Sequence, residues 1–215
     1  MINIILFGCG EHARMVIDNI EEQKIYKIVG LLTNDHTELN KKIYGYDVIG
    51  LDADIIDIVA KDSSIKGYFL GVGNMKARAK LAEWLDKNIA LDAVNIIHPT
   101  CIVSSHSTVG KGNLFEAYTK IANGAVVGNH CIVNSFTAIN HDQIVGNNVL
   151  IAGSVSLAGT TIGDNTIIAD GASIGFKRKV GKNCIIGDGA VVTKDIPDNV
   201  IAYGNPAKII RNNDW

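Results

Sequence analysis

The residues best suited to chemistry fall in two places. His141-Asp142 sets an imidazole beside a carboxylate. A histidine titrates near pH 6.5, so it can accept a proton close to neutrality, and a neighbouring carboxylate can orient the ring and steady its cationic form. The same residue types also cap turns, so the pair by itself leaves both roles open. Gly8-Cys9-Gly10-Glu11-His12-Ala13 has the spacing GxGxxA. In such a segment the glycines let backbone approach a phosphate, and the helix that follows attracts the anion with its free N–H groups. A plain strand-to-helix turn is the alternative. Asp35, about twenty residues further on, fits a dinucleotide site. However, the α/β-patterned part of the chain is one mononucleotide-binding half, and no catalytic domain for hydride transfer follows it.

The remaining candidates are weaker. Lys177-Arg178-Lys179 is the densest basic cluster and suits either a phosphate or a solvated corner. His98 precedes Pro99 and reads as structural, and His36 reads as a surface turn residue. His106, His130 and His141 show no spacing that converges on an ion, so no metal is expected. Cys9, Cys101, Cys131 and Cys184 form no CxxC pair and read as buried thiols in a reducing compartment.

Two kinds of element must position these residues. From residue 1 to about 95, β-branched runs alternate with helical patterns, which implies a small parallel sheet with helices on its faces. Strands are expected at Ile2–Phe7, Lys27–Leu32, Tyr46–Ile49 and Tyr68–Val72. Helices are expected at Glu11–Gln23, Asp54–Lys61 and Met75–Lys87. In the first helix Met15, Val16, Asn19 and Ile20 share one face.

From residue 96 the grammar is hexameric. Val103, Val109, Phe115, Ile121, Val127, Val133, Ile139, Val145, Ile151 and Leu157 recur every six positions. After a contraction of one residue the series resumes at Ile162, Ile168, Ile174, Val180, Ile186 and Val192. Small or turn-forming residues often follow, among them Ser104, Gly110, Ala122, Gly128, Gly146, Ala152 and Ala158. Each hexad supplies one short strand and one corner, and three make a triangular coil whose apolar residues stack inward. About five coils follow from the count. The expected architecture is an α/β half-Rossmann-like domain over 1–95, then an all-β parallel β-helix over 96–215.

Ala202-Tyr203-Gly204-Asn205-Pro206-Ala207-Lys208 and the hexads resemble the hexapeptide-repeat acyltransferases. Together with the front domain, the chain is similar to a narrower family, the sialic acid O-acetyltransferases and nucleotide-linked 4-amino-sugar N-acetyltransferases of the bacillosamine and perosamine type. That resemblance rests on Gly8-Cys9-Gly10-Glu11-His12, Gly71-Val72-Gly73-Asn74 with Arg78, His98-Pro99-Thr100 and Asn140-His141-Asp142. It implies a left-handed β-helix, a homotrimer with sites between neighbouring β-helices, and acetyl-CoA as co-substrate. His141 becomes the general base and Asp142 its partner. Gly8, Gly10, Glu11, His12, Thr33, Asn34, Gly73 and Asn74 become sugar-nucleotide contacts, with UDP the first-choice carrier and GDP or dTDP open. Thr33-Asn34 departs from the two aspartates of many relatives, and Leu150 from a histidine of several. Leu150, Gly171, Gly189, Lys177 and Lys179 fall to the acetyl-CoA side. The implied reaction is N-acetylation of the sugar's 4-amino group. O-acetylation of a sugar or sialic acid is the nearest alternative, and a non-catalytic trimeric scaffold that binds sugar nucleotides is more remote.

A formal net charge of −2 argues against nucleic acid as a partner. No stretch is long and apolar enough for a membrane helix, and no signal-peptide pattern opens the chain, so a soluble cytoplasmic protein is expected.

Overall fold

The computed structural model describes residues 1–157 and 159–214; Ala158, expected among the small corner residues, lies outside them. The chain forms two compact units, Met1–Ile97 and His98–Trp215.

The first unit is built on strands β1 (Ile2–Phe7), β2 (Tyr26–Thr33), β3 (Lys42–Ile43), β4 (Tyr46–Leu51), β5 (Ile65–Leu70) and β6 (Asp92–Ala93). They lie in the order β3-β4-β2-β1-β5-β6. All neighbours are parallel except β3 and β4, an antiparallel hairpin that the sequence pattern does not show. The helices are α1 (Glu11–Gln23), α2 (Ile55–Lys61) and α3 (Met75–Asn88). Ile4 through Phe7 are wholly buried, which explains the unbroken apolar run of β1. Helix α1 buries Ala13, Val16, Ile17 and Ile20 on one face. Because β2 lies on one side of β1 and β5 on the other, the order reverses at β1. In such sheets a crevice opens there, at the carboxyl ends of the strands.

The second unit is a left-handed parallel β-helix with three faces. One face stacks strands 102–103, 120–121, 138–139, 156–157, 173–174 and 191–192. The next stacks 108–109, 126–127, 144–145, 161–162 and 179–180. The third stacks 114–115, 132–133, 150–151, 167–168, 185–186 and 200–203. Partners are eighteen residues apart (Lys120 with Ile102) until the contraction, where Ile144 pairs with Thr161. From Phe115 onward every hexad position is buried. Val103 and Val109 depart from the expected inward stack: Val103 is 37% exposed and Val109 is half-buried. They occupy the first coil, which has no coil of this unit beneath it.

The corners explain the small residues. A Cβ on Gly128 would stand 2.6 Å from the carbonyl oxygen of Gly146 in the next coil. Beside it, Asn129 Oδ1 accepts from Lys111 N at 2.8 Å and Asn147 Oδ1 from Asn129 N at 2.9 Å. The glycines at 110, 128 and 146 leave room for this rising column, the amides of Asn129 and Asn147 and then the carboxylate of Asp164. Each corner also has a left-handed residue, such as Asn148, Asn165 and Asn183 on this one. Their side chains bond in series at 3.0 and 3.1 Å, and His130, 8% exposed, occupies the same column. At the far end, Lys208–Asn212 turns back and pairs antiparallel with Val200–Tyr203.

Among the described residues no helix is long and apolar enough to cross a membrane. Among the described residues no three His, Cys, Asp or Glu side chains are grouped to hold a metal ion, and the four cysteines are free thiols.

Candidate functional site

In the first unit the crevice is a cavity of about 480 Å³, lined by the loops after β1, β2 and β5. Gly8, Gly10, Glu11, His12, Thr33, Asn34 and Gly73 all border it. Asn74 does not: its Oδ1 accepts from Ala77 N at 2.9 Å and caps α3. Gly8 has φ +107°, and a Cβ there would lie 2.7 Å from the Gly71 oxygen, so both conformation and space demand glycine. Gly10 differs, because a Cβ there would meet nothing within 4 Å. It sits at the N-terminus of α1 with no side-chain cap, leaving backbone donors facing open space.

His12 stands over this cavity with its Nε2 buried and without a hydrogen-bond partner. Burial, and secondarily the Arg78 guanidinium, lower its pKa to about 4, so the ring is neutral near pH 7. Arg78 is fully buried, donates from Nη1 to Leu70 O and lies 5.2 Å over the Phe69 ring. Thr33 is also buried, and its Oγ1 accepts from Asp35 N at 3.1 Å. Asp35, the dinucleotide candidate, also borders the cavity and caps a 3₁₀ turn by accepting from Thr37 N at 2.8 Å. That bond holds its carboxyl below the usual range. Asp52 and Lys80 do not stand out in the sequence, and Val72 does so only as part of the Gly71–Asn74 segment. These border a second cavity, of about 350 Å³, which shares Gly8, Asn34 and Val72 with the first.

In the second unit, His141 and Asp142 lie on the corner between the first and second faces. His141 Nδ1 is 2.9 Å from Asp142 Oδ2, and both side chains are largely exposed. Asp142 is left-handed, with φ 58°. Its carboxylate occupies space that Gly124 leaves free, since a Cβ on Gly124 would come within 2.3 Å of Asp142 Oδ1. Gln143 braces the corner from inside: it is wholly buried, and its Oε1 accepts from Asn140 N at 2.8 Å. Asn140 Nδ2 in turn donates to Leu157 O at 2.7 Å. With Nδ1–H directed at the carboxylate, Nε2 is the ring atom left to accept a proton.

The five acetyl-CoA candidates are spread over the prism. Gly171 and Gly189 are left-handed residues of one corner, where an added Cβ would meet nothing. Gly171 borders a cavity of about 350 Å³ with Glu116, Ser135, Phe136 and Asp170. Lys177 shares the corner column of Asp142, two coils on, with Nζ 5.2 Å over the Phe176 ring. Lys179 N donates to Asp195 Oδ1, which also lies 3.6 Å from Arg178 Nη1, so one carboxylate offsets part of the basic cluster. Leu150 is on the third face, with its N–H spent on Thr166 O at 3.0 Å. Of the five, Gly171 alone borders any of these three cavities.

An α/β unit with its crevice at the reversal of strand order, followed by a left-handed β-helix, defines the hexapeptide-repeat class. Residues 3–85 match the PglD N-terminal domain family. The whole chain resembles PerB from Caulobacter crescentus, solved with CoA and GDP-perosamine, with a TM-score of 0.89 and 25% identity over 97% of each chain. The acetyltransferase domain of PglB from Neisseria gonorrhoeae, solved with acetyl coenzyme A, matches with a TM-score of 0.86 and 25% identity. That match covers 97% of this chain and 99% of the other. WeeI from Acinetobacter baumannii has the same fold, with a TM-score of 0.75 and 23% identity over 98% and 100% of the two chains. No curated protein matches the sequence.

Proposed function

We propose that this protein is an N-acetyltransferase that moves acetyl from acetyl-CoA to the 4-amino group of a nucleotide-linked 4-amino-4,6-dideoxy sugar. The observation that carries the reading is the exposed His141–Asp142 pair at 2.9 Å, in a chain that follows a CoA- and GDP-perosamine-bound protein over 97% of its length. Only a neutral amine attacks a thioester. His141 Nε2 takes the proton that the nitrogen loses as the C–N bond forms, and Asp142 steadies the resulting imidazolium. The C–S bond breaks, and the proton on His141 can pass to the departing thiolate. A nucleophilic cysteine is not needed, which agrees with Cys9, Cys131 and Cys184 being buried and with burial raising the thiol pKa of Cys9 and Cys184.

In this reading Gly8, Gly10, Glu11 and His12 hold the pyrophosphate at the α1 N-terminus, with Thr33, Asn34 and Gly73 on the rest of the nucleotide. Gly171 and Gly189 present backbone to the pantetheine arm, Leu150 lies against the same co-substrate, and Lys177 and Lys179 meet its phosphates. The working form is a cytoplasmic homotrimer, in which corners of neighbouring copies bring these groups together.

The test is thiol release from acetyl-CoA with UDP- and GDP-linked 4-amino-4,6-dideoxy sugars, for the native protein and His141→Ala. A turnover that falls by about 10²-fold or more in the variant supports the reading. Undiminished turnover removes His141 as the base. Acceptance of the 4-hydroxy counterpart in place of the amine moves the reaction to O-acetylation.

A further inference from the structure

The cavity beside the crevice is bordered by Gly8, Asn34, Asp52, Val72, Ala77, Lys80 and Leu81. Most of this lining is apolar, which suits the faces of a flat ring. The exceptions are one carboxylate, one ammonium and one carboxamide. Asp52 follows β4, at the same carboxyl edge of the sheet as the glycine loop. Its neighbour Asp54 is committed, since Oδ2 accepts from Leu51 N at 2.7 Å. Asp52 Oδ1, by contrast, is buried with no hydrogen-bond partner. A buried acceptor left unpaired is costly, and a ligand with matching donors would remove that cost. The Asp52 charge also bears on the Cys9 thiol in the glycine loop, which places the carboxylate within electrostatic reach of that loop.

Which ring would it take? A carboxylate offers two adjacent acceptors and no donor. Guanine alone among the common bases presents two adjacent donors, N1–H and the 2-amino group, with the O6 acceptor next to them. Uracil and thymine offer one N–H between two carbonyl oxygens, so a carboxylate there gains one bond and faces at least one repelling oxygen. The Lys80 ammonium and the Asn34 amide supply donors for O6. We propose that this cavity selects guanine, with Asp52 accepting from N1–H and the 2-amino group, so that the sugar carrier is GDP and not the UDP that the sequence put first. This inference rests on the sugar-nucleotide reading of the crevice.

The test is calorimetric titration of the full-length protein with GDP, IDP, UDP and dTDP. GDP should bind at least about tenfold more tightly than UDP or dTDP, in line with the discrimination a bidentate pair provides. IDP lacks only the 2-amino group and should fall between them. Asp52→Asn should abolish the preference for GDP by lowering GDP affinity, while UDP, freed of the repulsion at its carbonyl oxygen, should bind no more weakly than before. The IDP comparison needs no variant, so it stands even if Asp52→Asn folds poorly. UDP or dTDP binding as tightly as GDP, IDP matching GDP, or a preference that survives Asp52→Asn overturns the proposal. Absence of binding by all four overturns it along with the nucleotide reading of the crevice, while thiol release and His141→Ala test the acetyl transfer separately.

Discussion

Acidification should expose two opposed charges in the α/β unit. His12 is held near pKa 4 against an ordinary value of 6.5, first by burial and then by Arg78. Below pH 6.5 the unfolded chain gains a proton that the folded chain refuses. The stability this residue contributes is therefore complete above pH 6.5 and drains away as the pH falls from 6.5 to about 4. Asp52 works in reverse, since burial raises it to about 6 from 3.8. The folded chain takes this proton first, so the cost of the buried charge is fully present above about pH 6 and is relieved as the pH falls toward 3.8. At about 1.4 kcal/mol per pKa unit, going from pH 7.5 to 5 removes about 2 kcal/mol through His12 and returns about 1.5 through Asp52. The native protein should lose less than about 1 kcal/mol over that interval, while His12→Gln gains about 1.5 and Asp52→Asn loses about 2. Urea unfolding followed by Trp84, which packs against the core of this unit, reads this directly in a Trp215→Phe background. Parallel pH profiles for the three proteins would refute the assignment of both charges.

Two further outcomes follow from the backbone. Gly128→Ala should cost about 1–3 kcal/mol through its clash with the next coil, whereas Gly10→Ala, with open space around it, should stay within about 0.5 kcal/mol in the same urea assay. Equal losses at the two sites would contradict the steric argument. Asn74→Ala should lower the stability of the α/β unit by about 1 kcal/mol through the lost α3 cap, and an unchanged urea midpoint would show that the cap carries no weight.

Much of this fold can be read from residue spacing because the solenoid is close to one-dimensional: a side chain's face follows from its position in the repeat. That logic placed Phe115 through Val192 inside. It failed at Val103 and Val109 because a period says nothing of where a stack begins. The β1 turn was equally plain, since Gly8 is fixed by its conformation and by Gly71. Asp52 was not legible. Asp52-Ala53-Asp54 presents two similar carboxylates, and only the coordinates show one spent on a backbone N–H and the other facing a cavity. Asn74 is ambiguous in sequence for a related reason, as a good capping residue and a good ligand contact are the same amide, and the structure shows the cap.

The returning strand at Lys208–Asn212 bears on how one edge of the coil stack is closed. A stack of parallel coils ends in a row of open backbone donors and acceptors, onto which a second copy could continue the winding without limit. On the third face the last strand runs the opposite way, so an incoming parallel coil meets the wrong hydrogen-bonding pattern, and Lys208 and Arg211 add charge along that edge. Reversal of a single strand thus closes this face to further winding, in an architecture that is extensible in principle.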